Sequence, residues 1–199
     1  MTLFRKVPAA GALVLVACLG QLHAVEMKVS RQALERTLQK ELFGGLDGRY
    51  YVKGTPQSGC YTYVEDPQLT FAQDRIIVKV KTHSRLGTSI RGACIGLPLS
   101  VPAEVSLAPE AEGETIGFRD ARLDHVSDQK QLNFVLNPFL SRKVPSSMKV
   151  NAADLLRRAL AGSTATSGYK VSLDRLKIHS IQVEGEWLVV DVDGDLSVN

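Results

Sequence analysis

The sequence predicts an α+β domain in which a strongly curved antiparallel β-sheet is rolled around amphipathic helices. Three observations carry this. Leucines recur at helical spacing in three separate stretches, residues between 49 and 126 follow a period-two grammar, and the carboxyl end forms one long hairpin. The apolar phase of that hairpin slips twice along its first arm, from Val171 and Leu173 to Leu176 and Ile178, then to Ile181 and Val183. A strand that keeps one face on a core can slip only through bulges, and bulges coil it.

In chain order, "VSRQALERTLQKELFGG" reads as a helix. Ser30 is the N-cap, Leu34, Leu38 and Leu42 form the apolar stripe with Val29 and Phe43, and Gly44-Gly45 stops it. "GCYTYVEDPQLTF" and "DRIIVKVKTHSRL" then form a hairpin turning at Ala72-Gln73-Asp74. In "SIRGACIGLPLSVPAEVSLAPE" the alternation continues, while Pro98 and Pro102 imply bends or a sheet edge. "EAEGET" is a polar turn, and "IGFRDARLDHV" returns as a strand with Ile116, Phe118, Leu123 and Val126 apolar.

Two helices follow. Leu132, Val135, Leu136, Phe139 and Leu140 share one helical face, and Pro138 is expected to kink or end that helix. Asn151 caps a second helix carrying Ala152, Leu155, Leu156, Ala159 and Leu160, which Gly162 is expected to end. The last hairpin turns at Glu184-Gly185-Glu186. A curved antiparallel sheet needs its concave face filled, and the leucine-striped helices are the available filling.

The amino terminus bears on compartment. Arg5 and Lys6 precede an uncharged run from Val7 to Leu19, shorter than the ~20 residues a bilayer span needs. A basic start, a short apolar core and a small-residue exit describe a secretory signal. Leu22-His23-Ala24 suits cleavage after Ala24, giving a signal peptide over residues 1–24 and a single domain over 25–199. Leu15-Val16-Ala17-Cys18 also matches a lipoprotein signal over 1–17 with Cys18 acylated, although Leu19 stands where small polar residues are usual. The first product diffuses in the periplasm; the second is held on a membrane.

The whole chain has 24 Lys and Arg against 21 Asp and Glu, and loss of Arg5 and Lys6 with the signal leaves about +1. That balance predicts no nucleic-acid partner. Cys60 and Cys94 are an even pair in an exported protein, so a disulfide between them is expected, with an unpaired state as the alternative.

The chain has no Gly-x-Ser-x-Gly, His-Glu-x-x-His or Cys-x-x-Cys. His83, His125 and His179 stand on separate strand-like segments, each read as a surface or hydrogen-bonded histidine. "DVDGD", Asp191 to Asp195, lacks the later Glu of a calcium loop and reads as the wet face of an edge strand. Lys79, Lys81 and Arg85 form a basic hairpin face, read as solvated, with contact to anionic headgroups as the lesser reading. No enzyme, cofactor or metal is therefore expected.

The opening helix "VSRQALERTLQKEL", the hairpin "EDPQLTFAQDRIIVKVKT", "GFRDARLDHV", "MKVNAADLLRRAL" and "LKIHSIQVEGEWLVVDVDG" together resemble the YceB-like periplasmic proteins of Gram-negative bacteria. These share the tubular lipid-binding (TULIP) fold of the bactericidal permeability-increasing protein (BPI-like), and members are commonly lipoproteins. The resemblance implies binding of a lipid or another apolar molecule between helix and sheet. The wall candidates are Leu34, Leu38, Leu42, Leu132, Leu136, Leu156, Leu160, Ile76 and Val78. The alternative is an envelope scaffold with a solid core, since most apolar helix faces are simply buried.

Overall fold

The computed structural model describes residues 25–198 apart from 46, 126 and 127. The expected signal, with Ala24 and Cys18, lies outside the described residues, as does Val126.

The elements are β1 (Val25–Ser30), α1 (Arg31–Leu42), β2 (Tyr50–Lys53), β3 (Tyr61–Ala72), β4 (Arg75–Ile90), β5 (Ala93–Glu112), β6 (Thr115–His125), α2 (Lys130–Pro138), a π-helical turn (Phe139–Lys143), α3 (Val144–Ser147), β7 (Val150–Asn151), α4 (Ala152–Ser167), β8 (Val171–Glu184) and β9 (Trp187–Val198). They form an α+β fold whose six-stranded antiparallel sheet, β2-β3-β4-β5-β6-β7, curls into a half-barrel against the helices. The last hairpin does not join it. With β1 it makes a second, three-stranded sheet in the order β1-β9-β8.

The core lies between the concave face and the helices. From α1 come Leu34 and Leu38, from α2 Leu132 and Leu136, and beyond them Leu140, Val144 and Met148, all fully buried. Facing them are Val64, Ile76, Val78, Val105, Leu107 and Ile116 of β3 to β6. The alternation read from the sequence is thus an inward and outward alternation.

Helix starts follow their caps. Ser30 Oγ accepts from the Ala33 backbone N–H at 3.2 Å, and Asn151 Oδ1 accepts from that of Asp154 at 2.8 Å. Asn151→Ala is expected to lower stability by about 1 kcal/mol, checked by urea titration.

Pro138 is the last residue of α2, as expected, and the chain passes there into the π-helical turn, a wider register in which Phe139 and Leu140 stay on the core side. Three expectations are corrected. Gly162 does not end α4, which continues to Ser167, with Gly168 in the left-handed region (φ 76°) after it. A single glycine inside a helix costs only about 1 kcal/mol. Of the α4 stripe, Leu155 and Ala159 face solvent, while Leu156 and Leu160 are half-buried against the edge of the core. Finally, β9 is not an edge strand along its first half, where it is flanked by β1 and β8 from Trp187 to Val192.

Pro98 and Pro102 sit in one continuous 20-residue strand. They fall in the half of β5 that pairs only with β4, because pairing with β6 begins at Glu104. A proline has no N–H to give, so an open sheet edge tolerates it. The two phase slips in the last hairpin appear as register shifts between Leu173 and Arg175 and between Ile178 and Ser180.

Candidate functional site

The nine wall candidates fall into two groups. Leu34, Leu38, Leu42, Leu132, Leu136, Ile76 and Val78 pack together inside one continuous core. Leu156 and Leu160 lie against its edge from α4. None of the nine borders the clefts described below.

The open apolar space lies further along β4 and β5, whose inward alternation continues past the end of the helix cover. Ser84 pairs with Leu99, Leu86 with Leu97, Thr88 with Ile95 and Ile90 with Ala93. The same face that buries Val78 and Val80 therefore presents Leu86, Leu97 and Leu99 at the far end of the hairpin. Across from it stands the first turn of α2. A groove of about 490 Å³ is lined by Lys53, Leu86, Gly87, Lys130, Gln131, Phe134 and Val135. A neighbouring groove of about 300 Å³ shares Leu86, Gly87 and Gln131 and adds Gly96, Leu97, Leu99 and Gln129.

Two local features hold the hairpin in this position. Gly87 and Gly96 face each other across the strands, and a Cβ on either would collide with the opposite backbone. Only glycine allows so close an approach. The Cys60–Cys94 disulfide ties the hairpin tip to the start of β3, with Cα atoms 5.0 Å apart. The expected disulfide is present, and it marks an oxidising compartment.

Toward the core the concave face turns polar before it turns oily. Thr62 and Ser84 Oγ atoms lie 2.7 Å apart, and the Ser84 hydroxyl also reaches the Tyr61 carbonyl at 3.3 Å. Fully buried Thr82 has no partner for its hydroxyl among the described residues. Such an orphan costs about 1–3 kcal/mol.

The convex face carries a cross-strand row in register: Tyr51, Tyr63, His83 and Ser100 on β2 to β5. His83 stacks on Tyr63 with centroids 5.1 Å apart, and the Arg49 guanidinium lies 4.5 Å over the Tyr63 ring. Burial pushes the Tyr63 phenol up, and the hydrogen bond to Glu65 holds Arg49 protonated. His83 Nε2 is 3.0 Å from Glu65 Oε1, and its Nδ1 is 3.3 Å from Ser100 Oγ. Hydroxyl, imidazole and carboxylate thus meet, but on the outer sheet surface and outside the grooves described here. Cross-strand pairs of this kind stabilise a sheet by about 0.2–1 kcal/mol each.

The carboxylates of "DVDGD" are separately engaged. Asp191 accepts from Ser180, Asp193 lies 2.5 Å from His179 Nε2, and Asp195 pairs with Arg175 at 3.0 Å. Among the described residues no group of three or more His, Cys, Asp or Glu is placed to hold a metal ion. Lys79 pairs with Glu104 at 3.1 Å and Lys81 with Asp66 at 2.8 Å, so the basic face read from the hairpin is largely neutralised; Arg85 alone of the three has no carboxylate partner among the described residues.

Fold and groove define a class: an α+β protein with a curled antiparallel half-barrel whose concave apolar face runs out from under its helices. No family model matches the chain, and no curated protein matches it. Among solved structures it is similar to a lipopolysaccharide binding protein, at 9% sequence identity and TM-score 0.31, over 86% of this chain and 50% of that one. The chain thus spans half the length of that protein.

Sequence reasoning missed Leu86, Leu97, Leu99 and Phe134. The alternation itself was there in "RLGTSI" and "CIGLPLS", where period two continues to the hairpin tip. Only the length of the helical cover distinguishes groove from core.

Proposed function

We propose that this chain is a non-enzymatic, exported envelope protein of the YceB-like kind, which holds a lipid or other long apolar molecule between α2 and the β4–β5 hairpin. The observation that carries the reading is the groove itself. Its volume lies within the ~300–1,000 Å³ of small-molecule sites. Leu86, Phe134 and Val135 give it an apolar wall, and Lys53, Lys130 and Gln131 give it a polar rim. An acyl chain would lie along the wall with its polar end at the rim. On this reading the protein is periplasmic after cleavage behind Ala24, with anchoring through Cys18 as the second route. Intact mass of the mature protein separates the two.

A filled interior favours a second reading, an envelope scaffold with no ligand. Leu34, Leu38, Leu132 and Leu136 have no solvent exposure and pack together in one core. Titration with a fluorescent fatty acid, together with native mass spectrometry of the gently purified protein, decides between them. Uptake is expected for the wild type. Leu97→Asp puts a charge on the apolar wall at an exposed position, and is expected to weaken uptake about tenfold or more without unfolding the protein. No uptake and no co-purifying lipid would leave the scaffold reading standing.

A further inference from the structure

The near-neutral balance of the chain hides a strong asymmetry. Residues 50–64, 82–103 and 129–147 contain no Asp or Glu at all, yet they carry Lys53, Arg85, Arg91, Lys130, Arg142 and Lys143. These segments meet at one end of the molecule. The disulfide joins the loop before β3 to the hairpin tip, and one groove is lined by Lys53 and Lys130 together with Leu86 and Phe134. Lys143 borders the next groove along, beside Tyr50 and Val52. None of the six cations belongs to an ion pair among the described residues. Further along the sheet the cations are matched, as in Arg49–Glu65, Lys79–Glu104 and Arg75–Asp120.

The same end exposes large apolar side chains. Ile90 is 51% exposed, Ile95 65%, Leu97 74% and Phe134 82%. Scattered exposed leucines need no explanation, but a cluster at one tip ringed by unpaired cations does. Pro98 and Pro102 guard the open edge of β5 beside it, which disfavours occupation by an added strand.

We propose that this end docks on an anionic lipid bilayer, with Ile90, Ile95, Leu97 and Phe134 entering the headgroup–acyl boundary and Lys53, Arg85, Arg91 and Lys130 meeting lipid phosphates. A bilayer surface has that layering, negative charge above hydrocarbon. Docking would set the mouth of the groove against the lipid. The proposal extends the groove reading by naming its partner, and the two can fail separately.

The test is flotation of the purified protein with vesicles of phosphatidylcholine alone, or of two parts phosphatidylcholine to one part phosphatidylglycerol. Binding is expected with the anionic vesicles and should fall steeply as salt rises from about 0.1 M to 1 M. Lys53→Gln with Arg91→Gln should weaken it about 25-fold, since each cation near such a surface contributes about a fivefold factor. Neither side chain has an ion pair to lose, so folding is spared; circular dichroism checks this. Lys40→Gln with Arg158→Gln, cations on α1 and α4 with no ion pair among the described residues, is the control and should bind as wild type. Equal binding to both vesicles, no binding, or equal effects of the two double variants would overturn docking, as would self-association through this tip without vesicle binding. Fatty-acid uptake without vesicle binding sinks docking and leaves the groove reading; vesicle binding without uptake does the reverse.

Discussion

Leu38→Ala is expected to destabilise the protein by about 2–5 kcal/mol while leaving fatty-acid uptake close to wild type. Leu38 has no solvent exposure and sits on the α1 stripe between Leu34 and Leu42, against the concave sheet. Truncation removes three carbons from a close-packed interior that relaxes only in part, so transfer and cavity terms add. For a domain of this size that is a fall in Tm of roughly 10 °C. Differential scanning calorimetry checks the stability and fluorescent titration the uptake. A small change in Tm with a collapse of uptake would mean that Leu38 walls a ligand space and that the interior is not solid.

Replacing both Cys60 and Cys94 by Ser is expected to cost about 3–4 kcal/mol, by release of the closed loop in the unfolded chain. The sequence separation is 34 residues. A local effect should accompany the global one. Beyond Leu86 the hairpin has left the helix cover, and its tip is held by β4–β5 pairing and by the bond to Cys60. Gly59 packs against the backbone of Gly92 and Ala93 there, so the clamp also sets the distance between loop and tip. Without the disulfide, amide exchange should rise from Gly87 to Gly96 more than in the core half of β4, since local opening is favoured where buried contacts are few. Hydrogen exchange with mass spectrometry reads both segments. A uniform change along β4 would show that the tip is held by something other than the disulfide.

Much of the fold was legible because local rules and tertiary packing agree. Ser30 and Asn151 cap helices as their side chains allow. The β3–β4 and β8–β9 turns stand where polar residues interrupt alternation, with Gln73 and Gly185 in the left-handed region. The two slips of apolar phase in β8 are bulges. Mistakes fell where a local rule met a tertiary alternative. Gly162 lies on an exposed stretch of α4 where no packing demanded a stop. The candidate site was harder to read. Leu38 and Leu97 look the same in sequence, apolar residues in good periodic order, yet one is sealed and the other is largely in water.

Sequence by itself determined the principal helices and strands, the inward face of most of them, the even pair of cysteines and the order in which strands and helices alternate. Those follow from periodicity, capping and turn chemistry, which act within a few residues. Tertiary structure alone decided that the last hairpin makes a separate sheet with β1, that β4 and β5 outrun their helical cover, and that Lys53 and Lys130 come to one groove beside Leu86. Each depends on distances between residues far apart in the chain, and periodicity carries no information about where one element stops covering another.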